Sequence, residues 1–459
     1  FTSATLKGIS KTYVSSSQTN TLTAGGTNDW TIGERFVYQI RVDVPQGVVS
    51  NLVLTDTVPS GIDWVGANTN VGLSYPGRGY EFEIPVGGPQ FPTNIVDGLA
   101  IADTDPTPAS STTTDGSGLP VVFTFGAITN TPDGDLGNDY FLLRLEFVAL
   151  DQAVNVGTNN APRRGSNVVS MADGFTTLGA TGPVYRIVQH DIQALKQRTP
   201  GTNDAGDVVT FTLVVSNHVN ALANAYDVLV TDVLSSNVYD FSAFNVLGTT
   251  PGWNTELVGT SGGRIFRLFS VGDTALPRTS IATSRFEVAL AQTVRPGQIY
   301  TNRMIVEEST TLYGPPPGGI AERNDSATNT VTFLVPGLSV AKSLDSTSET
   351  ENPPDSTGSN VQIGEVLTYR VSVTLPESTV TNLTVVDRMS TNGLAYVFGS
   401  ARVDTNGFEG NVGNFTESPA AGANPTSAMA QVMPFSSTNV VATGGRGPTR
   451  NPSHLRLVS

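Results

Sequence analysis

Three residue types able to react with one another recur in a fixed order along the chain. Lys11, Glu34 and Asn167 come first, Lys196, Asp207 and Asn302 follow, and Lys342 with Glu365 open a third set. Each lies in a segment of alternating polarity and shares parity with apolar neighbours. Lys11 goes with Ile9 and Tyr13, Glu34 with Phe36 and Tyr38, and Asn167 with Val169 and Met171. Lys196 goes with Ile192 and Ala194, Asp207 with Val209 and Phe211, and Asn302 with Met304 and Val306. On a strand, equal parity means one face. A lysine, an acid and an asparagine directed into one apolar interior are costly unless they satisfy one another.

One solution is covalent. A buried lysine with a depressed pKa is a nucleophile towards a carboxamide, and a protonated carboxyl beside it polarises the amide and shuttles protons. The product is a Lys–Asn isopeptide bond, with ammonia released. Such a bond closes a loop of more than a hundred residues, and by analogy with disulfides that is worth about 4–5 kcal/mol. The competing reading keeps the three residues apart. The lysine then snorkels, the acid caps a turn, and the asparagine bonds an edge backbone.

A second cluster, Asp133, Asp135, Asn138 and Asp139, places four oxygen-bearing side chains within seven residues. Calcium favours such sets. The spacing is not that of an EF-hand, and a plain Asp/Asn/Gly turn is the simpler account. The one Gly-x-Ser-x-Gly match, Gly259 to Gly263, is read as turn punctuation, and there is no His-Glu-x-x-His and no phosphate loop, so no enzyme is expected. Calcium is the only cofactor entertained.

The elements that must position these residues are strands. Gly33-Glu34-Arg35-Phe36-Val37-Tyr38-Gln39-Ile40-Arg41-Val42 returns at Gly206–Val215 and at Gly364–Val373. A second strand ends in Asp56, Asp232 or Asp387, 23, 26 and 23 residues after the glycine. These aspartates are read as strand-end residues that bond the amides of the following turn. A strand around Tyr140–Leu150 matches one at Ser284–Leu290, and a closing strand begins at Asn167 or Asn302. Seven or so short strands per repeat, with turn signals between them, indicate a β-sandwich.

The chain is therefore expected to be all-β, a tandem array of three β-sandwich modules over 1–189, 190–336 and 337–459. The third lacks its last strand. His454–Ser459 matches the strand around Arg144 or Arg285, and no counterpart of Asn167 follows. Either the chain is truncated or another molecule supplies the strand, since an open edge is a template for pairing. The start at Phe1 fits a processed product, with a removed secretion signal preferred.

Composition agrees. Only 14% of the 459 residues are charged, Gly (47) and Pro (28) are abundant, and there is no cysteine. The net charge of −15, from 40 acids and 25 bases, argues against nucleic acid as a partner. No apolar run approaches the roughly 20 residues of a membrane span.

At these residues the chain resembles the conserved-repeat domains of bacterial and archaeal surface proteins, the class called domain of unknown function eleven. The matching residues run from Gly33 to Val42, from Leu52 to Gly61 and from Asn167 to Met171. The second repeat departs at Phe211 and lacks the Pro-x-Gly after Asp232, and the third has Arg388-Met389-Ser390 there. The resemblance implies an immunoglobulin- or prealbumin-like sandwich, exported and attached to a surface or filament, without catalysis. The order of lysine, acid and asparagine also resembles the self-crosslinking domains of Gram-positive pilins and adhesins. The expected function is structural, as a subunit or segment of an extracellular filament, sheath or layer at the cell surface. It would self-associate into a polymer or lattice, with strand complementation as one route. The alternative is an adhesin whose long loops at 66–126 or 241–282 bind a host or carbohydrate ligand.

Overall fold

The computed structural model describes residues 8–18, 28–65, 79–91, 120–155, 163–201, 203–272, 274–312, 324–349, 361–388, 393–397, 400–404, 410–411, 416–417, 432–442 and 453–458. Their regular structure is all strand, and among the described residues no helix is long and apolar enough to cross a membrane. The sheets fall into three groups along the chain.

The first group contains β1 (Gly8–Ser16), β2 (Asn28–Trp30), β3 (Arg35–Asp43), β4 (Gly47–Thr57), β5 (Ile62–Trp64) and β6 (Tyr80–Glu83). It continues with β7 (Pro120–Asn130), β8 (Tyr140–Ala149), β9 (Arg163–Gly165), β10 (Val168–Ala172), β11 (Thr177–Thr181) and β12 (Tyr185–Ile187). One sheet runs β1-β3-β8-β5, with β6 also on β8, a second runs β11-β10-β4-β7, and β2-β12-β9 forms a small third. Phe36, Tyr38, Ile40 and Val42 from β3 meet Leu52 and Leu54 from β4 and Val169 and Met171 from β10 in one buried core. Two sheets closing on shared alternate residues make a β-sandwich.

The second group repeats the plan with β13 (Ile192–Arg198), β14 (Val208–Asn217), β15 (Tyr226–Ser235), β16 (Tyr239–Thr249) and β17 (Trp253–Thr260). It ends with β18 (Gly263–Ser270), β19 (Ile281–Leu290), β20 (Ile299–Thr310) and β21 (Ala327–Leu334). Its sheets run β13-β14-β19-β16 and β17-β18-β15-β20-β21 around a second core that includes Phe211, Leu213, Phe266, Phe286 and Met304.

The third group holds β22 (Ser339–Thr347), β23 (Leu367–Leu375), β24 (Ser378–Arg388), β25 (Arg402–Asp404), β26 (Gly410–Asn411), β27 (Thr416–Glu417), β28 (Val432–Ala442) and β29 (Ser453–Val458). The sheets are β22-β23-β29-β25 and β24-β28-β26, with β27 also on β28. The strand at the end of the chain, β29, takes the place beside β23 that β8 takes beside β3.

Two local devices recur. Gly33, Gly206 and Gly364 all have φ near +80 to +90°, the left-handed region open to glycine. The acid that follows each one closes a turn on the residue three before it. Glu34 accepts the Thr31 N–H at 2.8 Å, Asp207 the Asp204 N–H at 3.1 Å and Glu365 the Gln362 N–H at 2.8 Å. The second device is a bulge. Asn51, Asp227 and Asn382 adopt φ of 57, 49 and 59°, each five residues before the recurrent aspartate, where strand pairing skips. Asn and Asp tolerate this conformation best among residues bearing a Cβ, and the bulge sets which face the rest of the strand presents.

Neighbouring groups touch through short, packed joints. Between the first two, Leu312 sits over the Gly33 turn, and within the second group the connecting His190 Nε2 lies 3.0 Å from Ser309 Oγ. Between the second and third, Ala205 N–H donates to the Glu377 carbonyl and Glu377 N–H to Asp204 Oδ2, both at 2.9 Å. Burial, reinforced by the charges of Asp207 and Glu377, pushes the Asp204 carboxyl up from 3.8 to about 6. A raised acid binds more protons folded than unfolded, so its contribution to the joint is fully present below about 3.8 and is lost as pH rises through about 6. Hydrogen exchange at Ala205 and Glu377 should show protection, corrected for intrinsic rate, falling across that window. In Asp204→Asn the fall should disappear.

Candidate functional site: two buried Lys–Asp–Asn trios

The acid facing each lysine belongs to the second strand of the repeat, not the first. Lys11 on β1 faces Ile40 across the β1–β3 pair, and its ammonium donates to Asp56 Oδ2 on β4. Both side chains are fully buried. Lys196 on β13 likewise faces Leu213, and its ammonium donates to Asp232 Oδ2 on β15, again with neither side chain exposed. Each pair thus bridges the two sheets of its sandwich. The inner face carries Asp56 in step with Leu52 and Leu54, beyond the Asn51 bulge.

Glu34 and Asp207, expected as the reacting acids, stand elsewhere. Glu34 is buried as its parity indicated, but its carboxylate is turned onto the amide and hydroxyl of Thr31. Asp207 makes the equivalent turn with Asp204. The reason is local: an acid directly after a positive-φ glycine is too close to the turn to reach the middle of the core. Asp56 and Asp232 do not bond the turn amides after their strands; their carboxylates lie inside, on the lysines.

The asparagines complete the sets. Asn167 immediately precedes β10, and Asn302 lies within β20. Val169 faces Asp56 across the β10–β4 pair, and Met304 faces Asp232 across the β20–β15 pair. In both, the asparagine is two residues before the one opposite the aspartate, hence on the same face. Asn167 and Asn302 are 1% and 2% exposed, and neither amide oxygen nor amide nitrogen of either has a hydrogen-bond partner. Leaving a whole carboxamide buried and unpaired is rare and costs about 1–3 kcal/mol per group.

Burial works against the charged form of each partner. Burial lowers Lys11 and raises Asp56, with each partner's charge, and the nearby Asn167 amide in the case of Asp56, opposing that shift. Burial likewise brings Lys196 down from 10.5 to about 8 and raises Asp232. Aromatic rings supply the apolar wall. Lys11 Nζ is 5.0 Å from the Tyr38 ring centroid and 5.6 Å from that of Phe147, and Lys196 Nζ is 4.9 Å from that of Phe211. Gly182 seals the first trio: a Cβ there would lie 3.2 Å from the Asn167 carbonyl oxygen, 3.2 Å from Tyr38 Cε1 and 3.6 Å from Lys11 Cδ. A buried lysine, a buried aspartate able to take its proton and an unpaired carboxamide are the reactants that amide exchange requires.

In the third group Lys342 Nζ donates to both oxygens of Asp387, at 2.7 and 2.8 Å, while Glu365 closes its turn on Gln362.

The Asp133–Asp139 segment is a hydrogen-bonded turn. Asp133 Oδ1 accepts the Asp135 N–H at 2.9 Å, Asp133 Oδ2 accepts Asn138 Nδ2 at 3.1 Å, and Asp135 Oδ1 accepts the Gly137 N–H at 2.8 Å. Asp139 points inward to Asn130 Nδ2, so the four side chains do not converge. Among the described residues no group of three His, Cys, Asp or Glu is placed to hold a metal. Of the loops considered for adhesion, 66–78 and 92–119 lie outside the described residues, and 241–282 is largely the strands β16 to β18 and the start of β19.

No protein-family model matches the chain, and no curated protein matches it in sequence. Among solved structures the chain has matches of low similarity. The C-terminal domain of the antigen I/II polypeptide BspA of Streptococcus agalactiae is 11% identical, with a TM-score of 0.35 over 72% of this chain and 100% of that one. The corresponding domain of AspA from Streptococcus pyogenes is 14% identical, with a TM-score of 0.35 over 71% of this chain and 99% of that one. The major pilin SpaD of Corynebacterium diphtheriae is 10% identical, with a TM-score of 0.25 over 73% of this chain and 68% of that one.

Proposed function

We propose that the chain is a structural, load-bearing protein of a cell surface, built from three β-sandwich modules over 1–189, 190–336 and 337–459. Modules one and two are locked by Lys11–Asn167 and Lys196–Asn302 isopeptide bonds, with Asp56 and Asp232 as the proton-transfer acids. The observation that carries this reading is the pair of buried trios, each with a carboxamide left without hydrogen bonds.

The reaction is balanced without any other reagent. Within the ion pair the lysine passes a proton to the aspartate, giving an amine and a carboxyl. The amine attacks Asn Cγ while the carboxyl protonates the amide oxygen. That attack forms the Nζ–Cγ bond, and collapse of the tetrahedral intermediate restores C=O, returns the oxygen's proton to the aspartate and breaks Cγ–Nδ2. A lysine proton, relayed through the aspartate, leaves with Nδ2 as ammonia. The chemistry occurs once per site, so the product is a tougher fold and not turnover.

Mechanical use follows from which strands are joined. β1 and β13 are the first strands of their sandwiches, and Asn167 and Asn302 mark the start of the closing pair in each. A pull along the chain would be carried by the bond, and the loop behind it would be shielded from extension. The acidic, cysteine-free composition suits a soluble outer surface. Self-association into a polymer or lattice, extracellular placement and the absence of turnover belong to the same reading.

The test is the intact mass of the purified chain together with single-molecule stretching. The mass should fall short of the sequence by two ammonias, and the segments from Lys11 to Asn167 and from Lys196 to Asn302 should add no length under force. An unshifted mass would sink the proposal.

A further inference from the structure

Tyr239 brings a hydroxyl to the second trio from a place that is apolar in the first. It opens β16 and stands opposite Leu290 on β19. The corresponding place in the first group, opposite Ala149 on β8, is held by Ile62, which is buried and has no polar side-chain atom. A second exchange goes with it. Phe147 of β8 packs its ring 6.1 Å from that of Tyr38 and walls Lys11, whereas β19 carries Val288 at the matching position. The Tyr239 ring supplies the aromatic contact instead. It meets Phe211 edge-on at 6.0 Å, and Phe211 walls Lys196. A phenylalanine would serve that packing equally well. Tyr239 is 4% exposed, and its hydroxyl oxygen is buried without a hydrogen-bond partner, a state that protein cores rarely tolerate. The hydroxyl reaches across the core from the β13-β14-β19-β16 sheet to Asn302 on β20, with Asp232 also near. Tyr239 and Asn302 are thus two unpaired polar groups side by side, short of hydrogen-bond geometry. A donor aimed at the amide oxygen of the ground state would already be bonded to it. One aimed at the place that oxygen takes in the tetrahedral intermediate would not.

We propose that the Tyr239 hydroxyl is an oxyanion donor for closure of the Lys196–Asn302 bond, donating to Asn302 Oδ1 as Lys196 Nζ attacks Cγ and the carbonyl becomes tetrahedral. The assignment rests on the crosslink chemistry proposed for the two trios. No proton leaves the tyrosine, so the balance is unchanged: Nζ–Cγ forms, Cγ–Nδ2 breaks and ammonia departs, with Asp232 relaying the protons. Burial, with the charge of Asp232 added to it, holds the hydroxyl well above its ordinary 10, against the opposing influence of Asn302 and Arg198. It therefore stays protonated and can donate throughout the step.

The experiment follows ammonia loss in the full chain freshly made by cell-free synthesis, sampled from minutes to days by intact mass and peptide mapping. In Tyr239→Phe the Lys196–Asn302 peptide should appear about 10²–10³-fold more slowly than in the parent, the usual effect of deleting one oxyanion donor. The Lys11–Asn167 bond of the same molecules should keep its parent rate. Site-specific 3-fluorotyrosine at position 239 retains the hydroxyl and should restore closure. Equal rates at the second site in parent and Tyr239→Phe overturn the proposal, as does equal slowing at both sites or a failure of the fluorotyrosine to rescue. A parent that loses no ammonia overturns the reading on which the proposal rests. Folding is checked where no second bond can form: adding Tyr239→Phe to Asn302→Ala should leave hydrogen-exchange protection in β14 and β19 unchanged. Lost protection there would make the hydroxyl structural and overturn its part in the reaction.

Discussion

Asp56→Ala is expected to restore one ammonia to the mass of the chain and to destabilise the first sandwich severely, while Glu34→Gln leaves the mass deficit intact. Removing Asp56 has two consequences. The proton relay is gone, so the Lys11–Asn167 bond does not form, and a staple worth about 4–5 kcal/mol is lost. Lys11 is also left buried without its partner, a change that costs about 3–5 kcal/mol when one member of a buried ion pair is deleted. Glu34 makes a turn with Thr31, and a glutamine oxygen can still accept that N–H, so the effect should stay near about 1 kcal/mol. Mass spectrometry and hydrogen exchange in β3 read the two effects independently. A deficit that survives Asp56→Ala and disappears in Glu34→Gln would return the role to Glu34.

The second large effect concerns pH. In Asn302→Ala the bond cannot form, yet Lys196 and Asp232 keep each other, so the loss should be smaller than in Asp232→Ala. The surviving lysine then titrates. Its folded pKa of about 8 lies below the ordinary 10.5, so between these values the unfolded chain holds more protons than the folded one. Stability therefore rises as pH climbs from about 8 towards 10.5, by about 1–3 kcal/mol, and the benefit is lost as pH falls back through about 8. Asp232 is raised by burial and contributes the opposite slope. In the parent, on the proposed crosslink, Lys196 would be an amide without such a titration. Protection of β14 amides should accordingly increase with pH in Asn302→Ala and stay flat by comparison in the parent. Parallel profiles would show that Lys196 is free in both.

Much of this was legible in the residues. Period-two alternation in the stretch from Gly33 and its two copies located β3, β14 and β23, and the parity of Lys11, Lys196, Asn167 and Asn302 identified them as inward. The same parity was available for the aspartates, since Asp56 continues Leu52 and Leu54, and Asp232 continues Val228 and Val230. It was overridden by their position near a strand end, where aspartate commonly bonds the next turn. What one strand cannot reveal is which residue of the opposite sheet lies across the core. Glu34 and Asp56 are both buried, and only the packing of β4 against β1 selects the second as the partner of Lys11. The bulge at Asn51 was also hidden, because left-handed asparagine has no periodic signature.

The unpaired carboxamides of Asn167 and Asn302 have one more consequence. Ammonia, once expelled, diffuses away, so the linkage cannot run backwards when the chain is later unfolded. Unlike a disulfide, it needs no oxidant to form, and no reductant undoes it. Where the proposed bonds form, a molecule that has folded even once would differ in composition from one that has not, and heat or denaturant would not erase the difference. Each chain would carry a permanent count, in units of ammonia, of how many of its sandwiches have ever closed.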